Sequence, residues 1–275
     1  MICGTSIGAL VGAAYASGEL DRFEDWIRRL SVIDIVAFMD LSLNGGLIKG
    51  EKLMGFFEKT FVDRPIETLS IPFSAVACDL HSGAEVWLKD GSTADAVRAS
   101  LALPGLLTPV HYRGKTLVDG GLVNPVPVSL ARAMGADLVL AVDLNADLIG
   151  RHLQSPQAEL TDLSGRAVDI EAGNNESSWI DEFQQQLQKR IPLPWSDPVG
   201  KDKPPVPSLF DVLASSINIM QVRITRSRMA GEPPDLVIAP RLADLGLMDF
   251  HRGDYAIEEG RRAVDRVLDQ IDELL

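Results

Sequence analysis

The chain has 275 residues, with 46% apolar and 24% charged side chains, enough for one large α/β domain or two small ones that bury a real core. Its formal net charge of −13 argues against nucleic acid as a partner, since phosphate binding needs clustered Lys and Arg. The same balance argues against docking on anionic lipid, and no stretch reaches the roughly 18 apolar residues of a membrane span.

In chain order, "MIC" reads as a short strand and "IGALVGAAYASGEL" as a small-residue helix ending near Gly18. Helical periodicity follows in "DRFEDWIRRL" and in "KGEKLMGFFEKTF", where Leu53, Met54, Phe57 and Phe61 share a face. "IPFSAVACDL" and "AEVWL" read as strands joined by a turn at "HSGA". "TADAVRASLALPGLL" reads as a helix stopped by Pro104. "KTLVDGGLVNPVPV" is a strand entering a glycine turn, "VSLARAMGA" a helix, and "DLVLAVDL" a run of the kind found in a fully buried parallel strand. Residues 148–207 are polar and read as an excursion from a single domain spanning 1–275. Within the excursion, Trp179, Ile180, Phe183, Leu187 and Ile191 fall on one helical stripe, read either as a docked surface helix or as a lid. "FDVLASSINIMQVRITRSRMA" is a long helix and "PDLVIAPRL" a strand. A last helix follows, with Ile257, Val264, Val267, Leu268, Ile271 and Leu274 facing the core. Alternating strands and helices predict a mostly parallel sheet covered on both faces. Cys3 and Cys78 sit in strand-like runs and read as reduced, buried thiols of a cytoplasmic protein; they offer no zinc spacing.

Two stretches carry chemistry. "GTSIG" is a G-x-S-x-G pattern (Gly4, Ser6, Gly8) between a strand and a helix, the setting that presents a nucleophilic serine at a tight turn. The plainer reading is a packing turn in which Ser6 caps the helix. "LVDGG" puts Asp119 at a strand end, where ligands of open α/β sheets collect. A buried aspartate there can take a serine proton directly; the plainer reading is an Asx-turn onto the glycine amides. A Ser-His-Asp triad is a third option. Of His81, His111, His152 and His251, only His251 stands late enough for that chain order.

The blocks "GTSIGAL", "ASLALPGLLTPV", "LVDGGLVNPVPVSLARAMGAD" and "PPDLVIAPRLADLGLMDFHRGDYAIEEGRRA" together resemble the patatin-like phospholipase family, particularly its short bacterial cytoplasmic members. The resemblance implies a three-layer α/β/α fold and a serine–aspartate dyad that hydrolyses lipid acyl esters without histidine, metal or cofactor. Carried over by motif, Ser6 is the nucleophile, Asp119 the base, and Gly4, Gly8 and Gly120 the supporting glycines. The Ile7 amide is a partial oxyanion donor, and Ser100 to Pro104 give structural support nearby. Family members also carry a glycine-rich oxyanion loop ahead of the nucleophile strand. Its absence before Met1 predicts an N-terminally truncated fold with weak or no turnover. The alternative implied is a non-catalytic remnant that binds lipid or a partner, with at most peripheral membrane contact.

Overall fold

A computed structural model describes residues 1–38, 40, 46–62, 64–148, 209–246 and 249–274. All of them fall in one compact unit of the chain. Beyond Leu148, the expected excursion and its Trp179 stripe lie outside the described residues.

The strands are β1 (Ile2–Thr5), β2 (Gly46–Ile48), β3 (Phe73–Asp79), β4 (Glu85–Leu88), β5 (Gly105–Leu107), β6 (Val110–Tyr112), β7 (Lys115–Asp119), β8 (Leu140–Val142) and β9 (Leu236–Ile238). The helices are α1 (Ile7–Ala16), α2 (Leu20–Arg29), α3 (Val32–Phe38), α4 (Glu51–Phe61), α5 (Thr93–Ser100), α6 (Val128–Ala133), α7 (Leu209–Gly231), α8 (Gly253–Asp265) and α9 (Leu268–Leu274). The fold is α/β. The pairs β1–β3, β2–β5 and β8–β9 are parallel, and β4, β7 and β6 join the main sheet antiparallel.

β3 organises the site. Along one edge it pairs with β4 over Ala75–Cys78. Along the other edge it is shared: β1 takes Phe73–Val76 and β7 takes Ala77–Asp79. β1 runs parallel to β3 and ends at Thr5, opposite Val76; β7 runs antiparallel and ends at Asp119, opposite Ala77. The two strands therefore meet tip to tip on one edge of β3.

Helices cover both faces. A Cβ on Gly12 of α1 would lie 2.8 Å from the Ile2 side chain, whereas Cys3 Sγ lies 3.4 Å from Met134 Sδ at the end of α6. Successive strand residues point to opposite faces, so α1 and α6 flank β1 from opposite sides. Here the α/β/α layering is visible in two adjacent side chains. On the α1 side, small residues (Ala9, Ala13, Ala14, Ala16) let the helix approach the sheet, and α5 packs beside it. Farther out, Phe23 and Trp26 of α2 stack against Phe56, Phe57 and Phe61 of α4 with ring centroids 5.2–5.9 Å apart.

Some expectations need correcting. The helix expected to run to Pro104 ends at Ser100; beyond it the Ala102 carbonyl accepts the Asp119 amide, and Gly105–Leu107 pairs as β5 with β2. "DLVLAVDL" gives only the three-residue β8, with Leu140 41% and Val142 51% exposed; among the described residues its strand partner is β9 and not the main sheet. The C-terminal stripe is broken. That segment forms two helices, α8 and α9, whose Val264, Leu268 and Leu274 are exposed, while Ala263 and Glu259 are the buried residues. Both cysteines are free thiols, Cys78 buried and Cys3 half-buried.

Candidate active site

Ser6 occupies the one-residue turn between β1 and α1. Its backbone, at φ 54° and ψ −124°, is a conformation that L residues rarely adopt and that costs about 1–3 kcal/mol. A turn this sharp presses strand and helix together. A Cβ on Gly4 would overlap the Gly8 carbonyl and sit 2.6 Å from the Ala9 backbone, so glycine is required there. Gly8 is under no such constraint: an added Cβ there meets nothing within 4 Å among the described residues.

Asp119 ends β7 opposite β1, and the tip-to-tip arrangement brings the two side chains together. Ser6 Oγ donates to Asp119 Oδ2 at 2.6 Å. Asp119 Oδ1 accepts the Gly121 amide at 2.7 Å, capping the 3₁₀ turn Gly120–Leu122, and its own amide donates to Ala102 O at 2.9 Å. Asp119 thus makes the expected Asx-turn with one oxygen while holding Ser6 with the other; the two readings are not exclusive. Ser6 does not cap α1 with its side chain. Gly120 cannot carry a Cβ, which would overlap the Val76 carbonyl.

The Asp119 carboxyl is 1% exposed. Burial pushes its pKa up from 3.8 to about 6, against the smaller lowering effects of the hydrogen bonds from Ser6 and Gly121. A carboxylate raised this far is still ionised at neutral pH and has gained proton affinity toward a hydroxyl donor.

Ser100 lies where the motif placed it. Its Oγ accepts the Ser6 amide at 2.8 Å and donates to Val76 O at 2.6 Å, joining the strained turn to β3 at the point where β1 hands over to β7. Ile7 opens α1 and is 38% exposed, with its amide unpaired among the described residues. First-turn amides of a helix have no intrahelical acceptor and attract negative charge. His251 sits in the turn Phe250–Arg252, packed against α2, α3 and α8. No described histidine hydrogen-bonds to Ser6 or Asp119, so the triad option has no geometric support. Among the described residues no group of three His, Cys, Asp or Glu side chains is placed to hold a metal, and no helix is long and apolar enough to cross a membrane.

Sequence reasoning passed over Thr5 and Asn124. Both are buried polar residues inside motifs quoted for their neighbours, with 6% and 1% exposure. The available signal was a hydroxyl at the end of an otherwise apolar strand and an amide in the turn that follows Asp119.

Comparison with known proteins bears on this geometry. A family model described as patatin-like phospholipase matches residues 1–132. An NTE family protein of Mycobacterium tuberculosis is 31% identical over 300 residues, covering 98% of this chain and 82% of its own. A second NTE family protein of that organism is 28% identical over 273 residues, covering 96% of this chain and 40% of its own. Human patatin-like phospholipase domain-containing protein 6 is 29% identical over 271 residues, 94% of this chain and 17% of that longer protein.

Proposed function

Because the chain belongs to the patatin-like phospholipase family, we propose that it is a lipid acyl hydrolase in which Ser6 is the nucleophile and Asp119 its base. The observation that carries the reading is the 2.6 Å hydrogen bond from Ser6 Oγ to a carboxylate that is itself almost fully buried.

As Ser6 Oγ attacks the ester carbonyl, its proton passes to Asp119 Oδ2. The carbonyl oxygen takes up the negative charge beside the Ile7 amide. Collapse of the tetrahedral species breaks the ester C–O bond, and Asp119 returns the proton to the departing alcohol. Water then attacks the acyl-Ser6 ester, losing its proton to Asp119; the Ser6 Oγ–C bond breaks, Asp119 returns that proton to Ser6 Oγ, and the carboxylic acid leaves. The Gly121 amide holds Oδ1 throughout, so the carboxylate keeps its aim while Oδ2 exchanges the proton. The net charge of −13 favours lipid esters with neutral or zwitterionic head groups over anionic ones.

The test is hydrolysis of p-nitrophenyl butyrate by the chain and by Ser6→Ala, with fluorophosphonate labelling in parallel. The expected result is labelling and at least weak turnover, both lost in Ser6→Ala. Turnover that survives the substitution overturns the assignment. A folded chain that neither turns over ester nor takes label belongs instead to the lipid- or partner-binding alternative.

A further inference from the structure

We propose that Thr5 and Asn124 are positioning residues, forming a clamp that keeps the Ser6 and Asp119 segments in register when the hydrogen bond between those two side chains is broken. The inference rests on the dyad reading, because that chemistry removes the bond. Once Ser6 Oγ is esterified it has no proton to donate, and the 2.6 Å link to Asp119 is gone. The tips of β1 and β7 then keep their separate pairings to β3 but need another direct link between them to hold their relative position until water arrives.

The Thr5 hydroxyl supplies that link. It donates to the Asn124 carbonyl at 2.8 Å, and both residues are buried. Thr5 immediately precedes the nucleophile. Asn124 closes the turn that follows Asp119, its amide donating to Gly120 O at 2.8 Å. The clamp therefore spans the same two segments as the dyad and contains none of the reacting atoms.

Asn124 is anchored in turn. Its Nδ2 donates to Glu85 Oε1 of β4 at 2.8 Å and to Ser129 Oγ of α6 at 3.0 Å. Glu85 is paired with Arg228 of α7 at 2.6 Å, and Arg228 Nε reaches back to Val123 O at 2.7 Å. Four elements thus converge on one turn. A small shift of a reacting group, on the order of 1 Å, can cost about 10²-fold in rate, so a lost anchor reads out as chemistry before it reads out as unfolding.

Thr5→Val keeps the shape and removes only the hydroxyl; Thr5→Ser keeps the hydroxyl. Two measurements are made on the wild type and both variants: the rate of Ser6 labelling with kcat and KM for p-nitrophenyl butyrate, and amide hydrogen exchange. The clamp predicts that Thr5→Val lowers kcat and labelling by about tenfold with KM little changed. It also predicts faster exchange at Gly121 and Asn124 while the amides of α4 keep their wild-type rates. Thr5→Ser recovers most of both effects. Unchanged exchange at Gly121 and Asn124 in Thr5→Val overturns the clamp, whether or not the protein turns over ester. Exchange that rises equally throughout the molecule also overturns it, since that is general destabilisation. A wild type that takes no label defeats the dyad reading, and the exchange data then judge the clamp alone.

Discussion

β3 and β8 are both apolar strands, yet β3 is buried along six of its seven residues and β8 exposes two of its three. The difference lies in their neighbours. β3 has β4 on one edge, β1 and β7 on the other, and α1 and α5 packed against it. Among the described residues β8 has β9 as its strand partner, with Val128 and Val139 around its one buried residue, Ala141. Burial also changes what polar groups do. At the β3 seam, the buried Thr5, Ser74, Ser100 and Asp119 side chains are hydrogen-bonded, as is Asn124 through its Nδ2, and the one carboxylate among them is pushed up to about 6. A site that must raise the basicity of a carboxylate needs the β3 kind of surroundings.

The largest expected effect comes from Asp119→Asn, which keeps the shape and removes the proposed base. We expect kcat to fall by about 10²–10⁴-fold, the usual range for a general base. Stability should move the other way. The folded pKa of Asp119 is about 6 against an ordinary 3.8, so ionisation inside the protein costs roughly 3 kcal/mol above pH 6 and nothing below about pH 4. The wild type therefore loses this stability as pH rises from about 4 through 6. The side-chain oxygen of the introduced asparagine can still accept the Gly121 amide, so the variant should melt higher than the wild type at pH 7.5. The gain should shrink as pH falls toward 4. If Asp119 is the base, wild-type kcat should show an acid limb near pH 6, where its carboxylate becomes protonated. A variant that is both inactive and less stable at pH 7.5 would show that the carboxylate is held by attractions stronger than the burial cost.

Next in size is Gly120→Ala. The added methyl carbon would overlap the Val76 carbonyl, which already accepts from Ser100, so either the 3₁₀ turn or β3 must shift. A loss of about 1–3 kcal/mol is expected from overpacking, measured by urea unfolding, together with loss of Ser6 labelling. Gly8→Ala is the contrast. It has open space, and unchanged unfolding would separate the glycine the turn requires from the one it does not.

Why these residues were legible in sequence, and others were not, follows from the same seam. Ser6 and Asp119 sit in short motifs whose glycines encode tight turns, and a turn is decided within a few residues. That locality also fixes Gly4 and the ends of β1 and β7. The pairing of β1 and β7 along one edge of β3 joins positions more than a hundred residues apart, and no periodicity reports it. Burial of β8 was misjudged because an apolar run records what a strand tolerates, not how many neighbours it acquires. The C-terminal stripe failed for a related reason: Val264 and Leu268 have helical spacing, but α8 turns Ala263 and Glu259 inward, with Glu259 accepting from the Arg241 amide and from Arg266. Thr5 and Asn124 were hidden because their partners are backbone groups and distant side chains.

The smallest effects test the contrast between β3 and β8 most directly, because one substitution can be made in both strands. Val76→Thr puts a hydroxyl at a fully buried position of β3, where β1 and β4 occupy both edges. Burying a hydroxyl without a partner costs about 1–3 kcal/mol, and Val-to-Thr exchange does not conserve chemistry even though it conserves shape. Val142→Thr makes the same change at a residue that is 51% exposed, where water remains available to the hydroxyl. Its effect should lie within about 0.5 kcal/mol, as for most surface substitutions, and threonine's own strand preference works in its favour. Equal losses at the two positions would mean that β8 is as deeply packed in solution as β3. The difference in neighbours would then no longer explain why the site forms where it does.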